Sequence, residues 1–246
     1  MPILEVTGLK KSFGGVMAVG GVDLVVEQGG MCGVIGPNGA GKSTLFNSIS
    51  GFYPCDGGRV VFKGQDITGL APDRIVKLGM GRSFQVTKIF PKLTVYENIH
   101  STVLFTAGRG WSMLSSTKYL ACEATHAVLA MVDLDEKSEE LAGTLSAGDR
   151  KRLELGIVLA TKPDLILLDE PTCGMSPQET VETIALIKKI NKDAGTTVLF
   201  TEHKMDFVFS MASHITVMNF GLVIAAGDPE TIRNDPRALD VYLGEG

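Results

Sequence analysis

Much that would narrow a function is scarce in this chain of 246 residues. It has one tryptophan, four histidines and four cysteines. Cys32, Cys55, Cys122 and Cys173 stand apart, with no C-x-x-C pair and no Cys/His ligand spacing. Neither a disulfide scaffold nor a zinc site is expected; reduced core thiols in the cytosol are. Lysine and arginine number 23 against 28 acids, a net charge of −5, and no basic block exceeds a few residues. That disfavours non-specific binding to nucleic acid. No apolar run approaches the ~18 residues that cross a bilayer. The most apolar window, VMNFGLVIAAG, is short, carries Asn219 and ends at a glycine, which fits a strand pair. The opening MPILEV lacks the basic start and apolar stretch of a secretion signal. A membrane channel is therefore not expected, and the mean hydropathy of +0.19 is compatible with a partner covering some surface.

Glycine is what the chain has in quantity, 29 in all. Three of them fall in GPNGAGKST, residues 36–44, directly after the apolar run MCGVI. Gly36, Gly39 and Gly41 free the backbone to curl so that successive N–H groups face inward, a nest for an anion. Lys42 then reaches the β and γ phosphates of a nucleotide, and the Ser43 hydroxyl a Mg²⁺ ion. The following TLFNSI reads as a helix whose N-terminus adds positive potential. G-x-x-x-x-G-K-S between a strand and a helix predicts a nucleoside triphosphate site.

The length allows one large domain or two lobes. Residues 3–8, 16–26 and 59–63 read as an early, largely antiparallel strand set. From Gln85 to Lys162 helical pattern dominates, in KYLACEATHAVLAMV and DRKRLELGIVLAT, as a lobe inserted between halves of the core. PDLILLDEP then reads as a buried strand. SPQETVETIALIKKI reads as a helix with Ser176 as N-cap, Pro177 at N1 and Glu179 closing a capping box. Val181, Ile184, Ile187 and Ile190 mark its expected apolar stripe. TTVLFTEH is another strand, and the alternation implies a parallel sheet.

A phosphate loop serves many chemistries, so the other residues must discriminate. Asp169 and Glu170 close the LILL strand, where open α/β sheets place ligands. Asp169 suits Mg²⁺, and Glu170 suits polarising a water for attack on the γ phosphate. Two acids after a strand also suit a helix cap; the loop upstream favours the site. His203 closes a strand on the same edge, whereas His100, His126 and His214 read as structural. Gln85 could bridge metal and water, and Phe13 offers an aromatic face; alone, each reads as an ordinary polar or core residue. In LSAGDRKRLELG, Ser146 and Gly148 open a second helix able to receive phosphate. It is either a plain capped helix or, since one loop already holds the nucleotide, a site facing another protomer's.

Taken in order, Phe13, GPNGAGKST, Gln85, LSAGD, LILLDEP and His203 resemble the A-loop, Walker A, Q-loop, signature, Walker B and H-loop of an ABC-transporter ATPase. The likeness covers the whole chain. FGGVMAV, TLFNSISGFYP, FKGQDITGL, LGMGRSFQ, FPKLTVYENI and VYLGEG resemble the LivG-like ATPases of branched-chain amino acid importers, with urea and amide importers as close relatives. The resemblance implies an α/β phosphate-loop NTPase (RecA-like) core with an antiparallel β subdomain and an inserted α-helical subdomain. This is one ABC domain over 1–246, with a core lobe at 1–84 and 163–246 and a helical lobe at 85–162. It implies ATP and Mg²⁺ as cofactors. Phe13, Gly36, Pro37, Asn38, Gly39, Ala40, Gly41, Lys42, Ser43 and Thr44 would hold the nucleotide; Ser146, Ala147, Gly148 and Asp149 would meet it in trans. Ser43, Gln85 and Asp169 would serve the metal, and Glu170, His203, Gln85 and Lys42 the chemistry.

The implied partners are a second ABC ATPase subunit, a heterodimer being favoured, and transmembrane permeases docking near Gln85 and residues 86–93. A substrate-binding protein enters indirectly, nucleic acid does not, and the chain would sit on the cytoplasmic face of the membrane. Two departures stand out. Ala147 and Asp149 replace the usual glycine or tyrosine and glutamine, and Asp149 sets a carboxylate near a triphosphate, an expected weakening of the closed state. Phe13 stands where tyrosine is commoner, which keeps stacking. A GTPase is disfavoured because NKDA, 191–194, is out of register with a guanine motif, and neither a GTPase nor a small-molecule kinase gives LSAGD a purpose. A non-transport ABC ATPase would bring tandem cassettes, insertions or basic surfaces. The ATPase of a lipopolysaccharide exporter shares the YLGE-like ending, but RSFQ and NSISGFYP point to an importer.

Overall fold

The computed structural model describes residues 1–83, 89–106 and 115–243, so Gln85 and the start of the 86–93 segment lie outside the described residues. Two long strands, β1 (Pro2–Phe13) and β2 (Val16–Glu27), open the chain and pair antiparallel. They alternate sharply: Leu4, Val6 and Leu9 face inward from β1, and Val22, Leu24 and Val26 from β2. That pattern suits a sheet with one covered and one wet face. The chain then dives through β3 (Met31–Ile35) and the glycine loop into α1 (Lys42–Ile49) before returning as β4 (Gly57–Phe62) and β5 (Gln65–Asp66). The first sheet has the order β2-β1-β4-β5. The expected early strand set is thus antiparallel throughout, with β3 leaving it.

After α2 (Pro72–Lys77) and a short strand β6 (Met80–Arg82) comes the helical stretch, with α3 (Val95–Thr106), α4 (Ser115–Met131) and α5 (Ala147–Leu159). The chain re-enters the sheet as β7 (Leu165–Asp169), followed by α6 (Pro177–Ala194), β8 (Thr197–Glu202), α7 (Met205–Met211), β9 (His214–Asn219) and β10 (Leu222–Gly227). Two helices, α8 (Pro229–Asn234) and α9 (Pro236–Leu243), end the described chain. The second sheet has the order β10-β9-β3-β8-β7-β6. It is parallel from β9 to β6, with β10 added antiparallel as the hairpin partner of β9. Every residue of β3, β7 and β8 is buried, as expected of parallel strands covered on both faces.

The two faces have different covers. On one, Leu45, Phe46 and Ile49 of α1 fill the gap between the two sheets, packed with Leu4, Val22, Phe62, Leu167 and Leu199. On the other, Val95, Ile99, Leu129 and Leu153 of the helical stretch share one core with Ile166, Phe200 and Ile187. The helices therefore pack directly on the sheet that carries the phosphate loop.

Two expectations need correction. Val181 is not in the stripe of α6: it is 64% exposed, and the helix buries Thr183, Leu186, Ile187 and Ile190, with Ile184 half-buried. Steps of three and four from Thr183 define the buried face, and Val181 lies off it. Of the four free thiols only Cys32 is a core residue, its pKa pushed up to about 11 by burial; Cys55 and Cys122 are half-buried and Cys173 is exposed in the turn after Glu170. His100 is structural as expected, with Nδ1 2.9 Å from Thr125 Oγ1 and its ring stacked on Tyr96. Chemical denaturation separates the two sides of α6: Ile187→Ala should cost about 2–5 kcal/mol, and Val181→Ala should stay within about 0.5 kcal/mol.

Candidate nucleotide site

The glycine loop is built by close approach. A Cβ on Gly36 would lie 2.1 Å from the Met218 carbonyl oxygen, and one on Gly41, at φ 99°, would lie 2.2 Å from that of Ala18. Only glycine lets the loop pass between β2 and the β9–β10 hairpin. Gly221 N donates to Ala40 O at 3.0 Å, which ties the loop to that hairpin. Inside the loop Lys42 is buried, its Nζ donating to Gly36 O at 2.6 Å and Pro37 O at 2.9 Å. The ammonium is thereby held against the inner wall. Pro37 is half-buried and Asn38 and Gly39 are exposed, so the crown of the loop is open. Helix α1 starts at once, with no acid in its first turn to offset its dipole.

Strand register brings the remaining groups to the same edge. Asp169 pairs with Thr201, and Ile35 pairs with Glu202, so the loop, the two acids and His203 all leave the sheet together. Asp169 is buried, and its Oδ1 accepts from Thr201 Oγ1 at 2.8 Å and Ser43 Oγ at 3.3 Å. Its Oδ2 faces Arg82 Nη2 at 3.4 Å, while Arg82 Nη1 donates to Ser50 Oγ at 2.5 Å. A hydroxyl and a carboxylate oxygen so close are hard donors of the kind Mg²⁺ uses when phosphate and water complete its shell, so the residues fit the ion. Glu170 is half-buried and holds a left-handed φ of 46°, rare outside glycine, with its N–H on Thr201 Oγ1 at 3.0 Å. That turn sets Glu170 on the wall of a cleft of about 150 Å³. Cys173 and Met175 line it on the same side, and Ala147, Arg150 and Lys151 of α5 on the other.

Sequence reasoning missed Glu202. It is fully buried at the end of β8 and accepts from four donors. These are the Thr172 hydroxyl and N–H, His203 N at 3.0 Å and Lys204 N at 3.4 Å. It therefore binds the turn after Glu170 to the turn that carries His203. The signal was present in TEH, an acid ending an apolar strand just as Asp169 does. Thr201 and Arg82 were missed as well. The His203 side chain is half exposed, with Nδ1 3.8 Å from Glu202 Oε2.

Two further groups lie around this edge. Phe13, 45% exposed at the end of β1, meets Tyr53 edge-on at 5.2 Å between centroids, with Lys11 Nζ 5.3 Å from its own. Ser146 caps α5 and accepts from Asp149 N at 3.1 Å. Asp149 is not the bare carboxylate the sequence suggests. Burial pushes its pKa up, but the Lys137 ammonium at 2.5 Å and the Ser146 hydroxyl at 2.8 Å prevail and hold it below the ordinary value. Glu202 gives a direct test of the frame. Glu202→Ala should cost about 3 kcal/mol or more in chemical denaturation by stranding buried donors, and Glu202→Gln, which keeps one acceptor oxygen, clearly less.

Comparison with known proteins agrees with this architecture. The ABC transporter family pattern matches residues 19–173, and that of the branched-chain amino acid ATP-binding cassette transporters matches residues 223–246. The chain is 41% identical to the high-affinity branched-chain amino acid transport ATP-binding protein BraF of Pseudomonas aeruginosa, over 99% of this chain and 98% of that one. It is 37% identical to LivG of Escherichia coli K12, with the same coverage. Among solved structures, an ATP-binding cassette of an ABC transporter in its ADP conformation superposes with a TM-score of 0.86 at 32% identity, covering 99% of both chains. A nucleotide-free cassette gives 0.85 at 32%, covering 98% of this chain and 99% of that one. With most of its length inside the family pattern and full-length identity to such relatives, the chain belongs to the ATP-binding proteins of ABC transporters, in their branched-chain amino acid group.

Proposed function

We propose that this chain is the ATPase that powers import of branched-chain amino acids or related amides across the cytoplasmic membrane, working from its cytoplasmic face. The observation that carries the reading is the convergence of Lys42, Ser43, Asp169, Glu170 and His203 at one edge of one sheet. The names and full-length identity of the relatives favour an amino acid importer over an exporter. Among the described residues no helix is long and apolar enough to cross a membrane, so in this reading separate permeases form the path.

The chemistry comes from placement. The backbone N–H groups of 36–44 and the N-terminus of α1 receive the phosphates, with the crown at Pro37, Asn38 and Gly39 closing over them. Lys42 gives up its carbonyl partners for the β and γ oxygens. Ser43 and Asp169, with Gln85, would hold Mg²⁺, which would supply positive charge against that developing on the phosphates. Phe13 lends its face to adenine, with Tyr53 fixing its orientation. Glu170 accepts the proton of the attacking water, and His203 donates toward the γ phosphate, each kept in place by the frame of Thr201 and Glu202. As the water oxygen bonds to the γ phosphorus, the γ phosphorus–oxygen bond to ADP breaks and ADP leaves, which frees the phosphate on which Lys42 and His203 converge.

A second ATPase subunit completes the site, with Ser146, Ala147, Gly148 and Asp149 of one chain meeting the nucleotide held by the other. The helical lobe, 85–162, then links nucleotide to permease, with residues 86–93 as the docking segment. Its shared core with the sheet supports that role. A heterodimer and an upstream substrate-binding protein are the expected assembly. Glu170→Gln tests the chemistry: turnover should fall at least about a hundredfold, ATP should remain bound, and an ATP-dependent dimer should accumulate on size exclusion. Normal turnover in that variant would remove Glu170 from the role of base.

A further inference from the structure

In the proposed function the N-terminus of α5 receives phosphate, and the role assigned to Glu179 rests on that reading. Two donors at this helix end, the Ser146 hydroxyl and the Asp149 N–H, are already engaged within the chain. The Ser146 hydroxyl gives its one proton to Asp149 Oδ2, and Lys137 neutralises that carboxylate. A second carboxylate arrives from α6. Glu179 closes the capping box on Ser176, its Oε2 accepting from Ser176 N at 2.9 Å and Ser176 Oγ at 2.8 Å. Its other oxygen lies over α5, 3.2 Å from where a Cβ on Gly148 would stand. The Ser176 N–H and hydroxyl, with help from the Gly148 N–H, hold the Glu179 carboxyl below the ordinary glutamate range. The charge acting on it is that of Asp149, of like sign.

We propose that Glu179 is an internal stand-in for phosphate: in the isolated chain its carboxylate occupies the Gly148 end of α5, and it must leave before a nucleotide held by a second subunit docks there. A carboxylate and a γ phosphate repel each other, and both seek the same N–H and the same end of the helix dipole. Asp149 raises no such barrier, because Lys137 offsets it. Leaving is inexpensive for Glu179, since its contacts with Ser176 survive withdrawal from Gly148. Glu179 is thus a positioning residue that sets how much ATP the subunits need in order to close. Binding of ATP to the chain's own glycine loop does not involve it.

The test uses the full chain carrying Glu170→Gln together with the second ATPase subunit of its assembly, with MgATP as the probe and two readouts: light scattering of the ATP-driven dimer of the two, and nucleotide affinity of this chain alone at high dilution. Adding Glu179→Gln keeps a side chain able to complete the capping box. It should lower the ATP concentration for half-maximal dimer at least about fivefold, the lower end of common coupling strengths. The affinity of the monomer should not move. Glu179→Ala, which also gives up the cap, should lower the thermal midpoint yet shift the ATP requirement the same way. Ser146→Ala serves as the control for the shared site. If the parent forms no dimer with ATP, or Ser146→Ala dimerises as well as the parent, the two-subunit site fails and the role of Glu179 with it. If dimer formation depends on Ser146 while the Glu179 variants need as much ATP as the parent or more, the role of Glu179 alone is overturned.

Discussion

The carboxylate of Asp169 is buried at the end of a strand whose every residue is buried, and the site is arranged around holding it there. Thr201 holds it from β8, Ser43 from α1 and Arg82 from β6. Arg82 is itself buried, which lowers its pKa, while Asp169 works in the opposite sense. Such a pair contributes little net stability compared with apolar packing, but losing either member leaves a charge stranded in the core. Its value is geometric. One carboxylate fixes the glycine-loop helix, the central strands and the last described residues before Gln85 relative to one another.

Glu202 repeats the device one strand over. Where Asp169 joins strands and loop, Glu202 joins the turn after Glu170 to the turn bearing His203 through four donors. The proposed base and the proposed γ-phosphate donor are therefore held by one buried acid that need not touch substrate. The α5 end of the cleft has looser arrangements: Asp149 with Lys137, and Glu179 shared between Ser176 and the Gly148 edge, both partly solvated. A rigid half that binds and an adjustable half that receives is what a site divided between two subunits requires.

Much of this was legible in the sequence because its strongest signals are local. GPNGAGKST between a strand and a helix, LILLDE and the Ser176–Glu179 box each carry their geometry within a few residues, and the structure places all three as expected. What escaped depends on distant parts of the chain. Thr201 matters because β8 pairs in register with β7, and Arg82 because a three-residue strand pairs with β7. Lys137 neutralises Asp149 from 12 residues upstream, so the isolated pentapeptide LSAGD suggested a bare charge. Val181 misled because apolar residues at helical spacing do not reveal which face the core takes, and Cys173 because a small apolar residue in a turn reads like one in a strand.

The most direct measurement is the structure of the assembled transporter loaded with ATP and magnesium and blocked from turnover. The account predicts Lys42 and Ser43 of one subunit and the Ser146–Gly148 turn of the other within hydrogen-bond reach of the same triphosphate. A triphosphate enclosed by a single subunit, with that turn remote from every phosphate oxygen, would contradict it.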